Sequence, residues 1–194
     1  MSYYRLEGIA SFVKGKVIID VGADHGELEA ILEHKENVKK VFAIENKKGP
    51  YQNLVNKVNE LGLTKVTPVY ANGLETLDTS VDTAVIAGMG GINICNILMD
   101  AKYKLDNLTS LVLAPHGDYE LVRRIVTSLG FKIDDELVVT EAKKTYIIMS
   151  FLKSNEPIHY SNREYEFGMS GFSEKTKDVS IMNLKEEEKK DEDK

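Results

Sequence analysis

Two aspartates, Asp20 and Asp24, bracket a glycine-bearing turn in the stretch Val17-Ile18-Ile19-Asp20-Val21-Gly22-Ala23-Asp24-His25-Gly26, and a third carboxylate, Glu45, ends the next apolar run, Lys40 to Glu45. Acids at the carboxyl ends of buried strands are where an open α/β sheet gathers its ligand. The turn has the spacing G-x-x-x-G, not the G-x-G-x-x-G that seats a dinucleotide pyrophosphate, and its aspartates oppose a phosphate. An acid at the position of Glu45 suits ribose hydroxyls. A ligand with a ribose, a positive charge and no phosphate meets all three conditions, and S-adenosylmethionine, a sulfonium nucleoside, is such a ligand. Taken singly, each acid also reads as a solvated strand end.

These residues need a sheet to hold them. Val17, Ile18, Ile19 and Val21 are β-branched and apolar, as a strand covered on both faces requires, and Glu27 to Leu32 reads as the following helix. Residues 1 to 14 form a short helix by spacing, and Gln52 to Leu61 another, stopped by Gly62. Further strands are expected at Val66–Tyr70, Val81–Ala87 and Ser110–Ala114, with helices at Ile92–Asp100 and up to Gly130. Phe131–Val139 and Lys144–Leu152 read as an antiparallel pair joined through Glu141-Ala142-Lys143. The result is an α/β fold, a seven-stranded, mostly parallel, Rossmann-like sheet with an antiparallel edge, on the general class I methyltransferase plan. The expected domain covers residues 1–155. Residues 156–194 read as a short, loosely packed C-terminal appendage with a disordered acidic end.

Composition narrows the function classes. Single Cys95, set among Ile92, Ile94, Ile97 and Leu98, excludes an internal disulfide and reads as a small buried hydrophobe. No charged segment followed by an apolar run opens the chain, and no run of about 18 apolar residues occurs, so a cytoplasmic protein without a membrane span is expected. No metal site is assigned, and a monomer is expected. The formal charge of -6 argues against nucleic-acid binding by bulk charge. The last ten residues carry six acids and four bases, which leaves the rest near -4. Basic doublets Lys39-Lys40, Lys47-Lys48, Arg123-Arg124 and Lys143-Lys144 could form a local basic patch, or be ordinary solvated surface.

Taken together, Asp20-Val21-Gly22-Ala23-Asp24-His25, Glu45, Asn72-Gly73-Leu74 and Ile86-Ala87-Gly88-Met89-Gly90-Gly91 closely resemble the TrmK family, bacterial tRNA methyltransferases that act on N1 of adenine 22. The resemblance covers about residues 5 to 155. It implies a cofactor site built from Asp20, Gly22, Ala23, Glu45, Asn46, Asn72, Gly73, Gly88 and Met89, with Asp24 as the key acid. Gly90 and Gly91 then stand at the mouth between cofactor and target base, with Pro115, His116 and Tyr146 on the substrate side. The chain departs from the family in Asn72, where Asp is usual, in Ala114-Pro115-His116, where Gln-Pro-Asn is common, and in lacking a periodic C-terminal coiled coil.

The chemistry expected is an in-line methyl transfer, in which the protein aligns the reactants and excludes water. A carboxylate accepting from the exocyclic N6 amine raises electron density at N1. Asp24 is the first candidate for that role and His25 the second, His25 otherwise being a partly buried histidine that caps the turn. N1 lies on the Watson–Crick edge, so a paired base must be exposed before it reacts, and Met89 or Tyr146 could pack on its face or be plain core. Tyr3, Tyr4 and Arg5 could touch the RNA, although nothing in the sequence requires it. Other readings are a methyltransferase for a small molecule, favoured by the acidic balance, and a nucleoside-binding module without catalysis. A nicotinamide dehydrogenase fits worst, since carboxylates stand where phosphate should sit.

Overall fold

The computed structural model describes residues 3–141 and 143–169. Seven strands form one sheet in the order β3-β2-β1-β4-β5-β7-β6. They are β1 (Val17–Val21), β2 (Lys40–Glu45), β3 (Val66–Tyr70), β4 (Thr83–Ala87), β5 (Ser110–Ala114), β6 (Phe131–Glu141) and β7 (Lys144–Lys153). The first five are parallel, and β7 joins antiparallel to both β5 and β6. The helices are α1 (Tyr3–Phe12), α2 (Glu27–Glu33), α3 (Lys48–Leu61), α4 (Gly91–Asp100), α5 (Tyr119–Ser128) and α6 (Asn162–Phe167).

Strand pleating divides the core. Ala84 and Ile86 of β4 and Leu111 and Leu113 of β5 pack with α4 and α5, while Val85, Val112 and Ala114 pack with α1, α2 and α3. Burying each large aliphatic side chain contributes about 1.5–3 kcal/mol, which is why the central strands are nearly all Val, Ile, Leu and Ala. The chain winds outward from β1 through β2 to β3, then returns to the other side of β1 as β4. The carboxyl ends of β1 and β4 are therefore the topological switch point.

Several boundaries differ from the sequence expectation for local reasons. α3 starts at Lys48, not Gln52, because Pro50 falls in its first turn, where a missing N–H costs no helical bond. β4 starts at Thr83, not Val81, since the Asp82 carboxylate accepts from the backbone N–H of Lys16 at 2.9 Å and of Val17 at 3.1 Å. A 3-10 helix at Lys102–Asn107 is an addition to the expected elements.

Residues 156–169, the described part of the expected appendage, have no buried residue but are tied to the domain by specific hydrogen bonds. Ser161 and Glu164 make a reciprocal capping box, with Glu164 N donating to Ser161 Oγ at 3.2 Å and Ser161 N to Glu164 Oε2 at 2.7 Å. Ile133 N donates to the Tyr160 hydroxyl at 3.0 Å, beside the register shift in β6. Arg123, 1% exposed, donates Nε to Glu136 Oε1 at 2.7 Å and Nη1 to the carbonyls of Tyr165 and Glu166 at 2.9 and 3.2 Å. Burial pushes the Glu136 carboxyl above its ordinary range, and Arg123 pulls it back. Arg123 is thus unavailable to a basic patch, whereas Arg124 stays partly exposed, paired with Glu120 and lying over the Tyr165 ring. The expected acidic end, within the last ten residues, lies outside the described residues.

Arg123→Met strands Glu136 in the interior and releases the α6 carbonyls. Chemical denaturation is expected to show a loss of about 3–5 kcal/mol, largely recovered in the Arg123→Met, Glu136→Leu double variant.

Candidate active site

A cleft of about 830 Å³ opens at the carboxyl ends of β1, β2 and β4, within the size range of small-molecule sites. Its turn is built by backbone conformation. Gly22 and Gly26 have φ of 81° and 71°, and Asp24 between them takes φ 46°, a left-handed value that aspartate tolerates better than most residues. Gly22 N and Ala23 N both donate to the Ile44 carbonyl, at 2.9 and 3.1 Å, strapping the turn to β2. Those two donors, which in a phosphate loop would meet the anion, are therefore already used.

Glu45 follows Ile44 and is 7% exposed; its Oε1 accepts from the backbone N–H of Asn46 and of Lys47, both at 3.0 Å. This fixes the carboxylate and leaves Oε2 outside both bonds. Asn46 Nδ2 donates to Asn72 Oδ1 at 3.0 Å, and Asn72 Nδ2 lies 3.4 Å from Glu75 Oε1. The Asn72 carbonyl expected to meet an adenine amine already accepts one hydrogen bond, although a second lone pair remains. Gly73, φ 52°, lies against Ile97, which also lines the cleft.

Asp20 is 3% exposed and also lines the cleft. Burial raises its pKa to about 6, and a hydrogen bond with Glu29 opposes the rise. Glu29 of α2, fully buried, is pushed well above the carboxylate range by burial and by the Asp20 charge. Among the described residues Asp20 is the one side chain that faces the Glu29 carboxyl closely enough to shift it. Around the same cleft stand Asp24, Glu27, Glu45 and Asp100, with Arg5 and Lys47 the cations. An excess of acids with its backbone donors taken fits a cationic nucleoside and rejects a phosphate.

The structure brings most of the expected site residues together: Asp20, Gly22, Ala23, Asp24, His25, Glu45, Asn46, Asn72, Gly73, Gly88, Met89, His116 and Tyr146 line one cleft. Gly90, Gly91 and Pro115 do not. Gly91 is the first residue of α4, where an added Cβ would lie 2.6 Å from the Gly117 carbonyl oxygen, so its smallness serves packing. Pro115 is buried under the loop that His116 N closes by donating to Met89 O at 2.9 Å. His25 does not cap the turn from a buried position; its side chain is 67% exposed and its Nε2 is 3.5 Å from Asp24 Oδ2. The sequence does not place Arg5 in the cleft, nor does its reading find the polar stripe Asn93, Asn96 and Asp100. The signal for the stripe is three polar residues at helical spacing in an otherwise apolar α4.

This sheet order, with an acid-lined nucleoside cleft at the β1/β4 switch, defines a class I methyltransferase, and residues 3–149 match the family model of a methyltransferase domain. A Bacillus subtilis tRNA (adenine(22)-N(1))-methyltransferase is 29% identical over 170 residues, 85% of this chain and 71% of the relative. A Streptococcus pneumoniae candidate tRNA (m1A22) methyltransferase, solved in complex with S-adenosyl-L-methionine, is 33% identical with a TM-score of 0.81, covering 100% of this chain and 89% of that one. The B. subtilis enzyme TrmK, also solved, is 29% identical with a TM-score of 0.70, over 79% of this chain and 67% of that one. The chain belongs to the TrmK family. Among the described residues no group of three His, Cys, Asp or Glu side chains converges to hold a metal ion, and no helix is long and apolar enough to cross a membrane.

As pH falls through 6, Asp20 takes up a proton and the cleft loses negative charge. Calorimetric affinity for S-adenosylmethionine is expected to weaken from about pH 7 to about pH 5, whereas Asp20→Asn should bind weakly and without that slope. Stability runs the other way. The folded value of about 6 lies above the ordinary aspartate value of 3.8, so the Asp20 contribution is fully present below 3.8 and lost as pH rises through 6.

Proposed function

We propose that this protein transfers the methyl group of S-adenosylmethionine to N1 of adenine 22 in tRNA, in the cytoplasm. The observation that carries the reading is a single cleft in which acids suited to a cationic nucleoside, Asp20 and Glu45, adjoin an exposed acid, Asp24, and an aromatic wall, Tyr146. Its support from outside is the B. subtilis relative, a tRNA (adenine(22)-N(1))-methyltransferase.

In this reading Glu45 Oε2 holds the ribose, Asn72, Gly73 and Ile97 border the adenine, and Asp20 with the Gly22 turn receives the cationic end. When bound, S-adenosylmethionine supplies the electrophilic methyl group. Asp24 accepts from the exocyclic N6 amine of the target, raising electron density at N1, and the same carboxylate repels the O6 oxygen that guanine would place there. His25, beside Asp24, helps to orient it. Lys144, whose charge acts on His116 at the cleft, and Lys47, on the cleft wall, offer cations for the tRNA backbone despite the acidic total. Met89, packed against Gly22, separates the cofactor turn from the β5 loop.

The test is methyl transfer from labelled S-adenosylmethionine to an unmodified tRNA transcript and to its copy with guanine at nucleotide 22. Label is expected on the first alone, and Asp24→Ala should reduce it by at least about a hundredfold. No label on either transcript, with cofactor binding intact, would reject the tRNA assignment in favour of a small-molecule acceptor.

A further inference from the structure

Three side chains from distant parts of the chain meet at one end of the cleft: Arg5 of α1, His116 after β5 and Tyr146 of β7. Arg5 is 5% exposed although it carries a full charge. Its guanidinium carbon lies 3.8 Å from the centroid of the Tyr146 ring, and its Nη2 lies 3.2 Å from His116 Nε2. The imidazole and phenol rings meet edge to face at 6.0 Å.

A guanidinium donates hydrogen bonds and accepts none. The Nε2 atom of His116 must therefore be the bare nitrogen, and the imidazole proton sits on Nδ1. Partial burial and the charges of Arg5 and Lys144 all lower the His116 pKa, in keeping with a neutral ring. The same guanidinium covers one face of Tyr146, fixing the plane of that ring.

We propose that Arg5 is a positioning residue for the target base: by holding His116 as its Nδ1–H tautomer and Tyr146 in a set plane, it gives the cleft one directed donor beside one aromatic wall, a pair suited to a ring-nitrogen acceptor of a purine. The proposal rests on the function given above and divides its labour. Adenine and guanine share the acceptors N3 and N7, so His116 orients the base, while Asp24 selects adenine. In this chain Arg5 gives the imidazole a single polarity.

The experiment compares wild type, Arg5→Met, Arg5→Lys, His116→Ala and the Arg5→Met, His116→Ala double variant. Each is assayed for methyl transfer to the nucleotide-22 adenine transcript at saturating S-adenosylmethionine, with active protein counted by cofactor-binding stoichiometry. Expected is a fall in kcat of about tenfold in Arg5→Met, the size of one lost hydrogen bond, with cofactor Kd and transcript KM within about twofold. His116→Ala, at an exposed position that does not threaten folding, should lose as much, and the double variant no more than either. Arg5→Lys, which keeps a donor, should recover part of the loss. Long-range proton–nitrogen spectra should show Nδ1–H for His116 in wild type and a mixture of tautomers in Arg5→Met. An Nε2–H tautomer in wild type, or unchanged kcat in Arg5→Met and His116→Ala, overturns the role of Arg5 alone. Absence of wild-type transfer to the transcript removes the proposed function, and the base-positioning role with it.

Discussion

The Ile44 carbonyl accepts from both Gly22 and Ala23, and the character of the cleft depends on that strap. A turn between strand and helix usually keeps its backbone donors for an anion. Here they are turned into the sheet, so the ligand meets side chains instead, and those side chains are acids. Glu45 stands one residue beyond Ile44 and is fixed in turn by two backbone donors of its own. The strap and Glu45 thus fall on consecutive residues of one strand, and neither moves without the other.

Much of this was legible in the sequence because strand ends announce themselves. Val17 to Val21 cannot be anything but a buried strand with a break after it, and the same holds for Ser110 to Ala114. The residues at and just beyond such breaks, Asp24, Glu45, Asn72 and Met89, converge because parallel strands of one sheet end on one side. Less legible were residues that reach the cleft from helices. Arg5 lies in the first turn of α1, far from any strand end, and only the packing of α1 across the sheet carries it to Tyr146 and His116. Gly90 and Gly91 adjoin the cleft in sequence without lining it, and at Gly91, where α4 starts, a small residue is needed to pass Gly117.

Buried charge is treated in two ways in the two halves of the molecule. Arg123 and Glu136 neutralise one another, and Arg123 also satisfies the end of α6, so that region contributes order rather than chemistry. Among the described residues no cation pairs with Asp20 or Glu29; two acids share an interior that stabilises only one negative charge well. The first arrangement holds residues 154–169 on the domain. The second leaves Asp20 with a carboxyl that burial holds above the ordinary aspartate value.

Pro68 lies in β3, at one margin of the sheet, where its missing N–H removes a donor from the outward row. At the opposite margin β6 carries a register shift, and the Tyr160 hydroxyl occupies Ile133 N–H. An open sheet is a template for any extended chain that reaches its border. With a proline on one border and an irregular, partly occupied ladder on the other, nascent or damaged copies find poor purchase for adding a strand. The same two residues that look like minor irregularities of the fold thereby keep a seven-stranded sheet from growing an eighth.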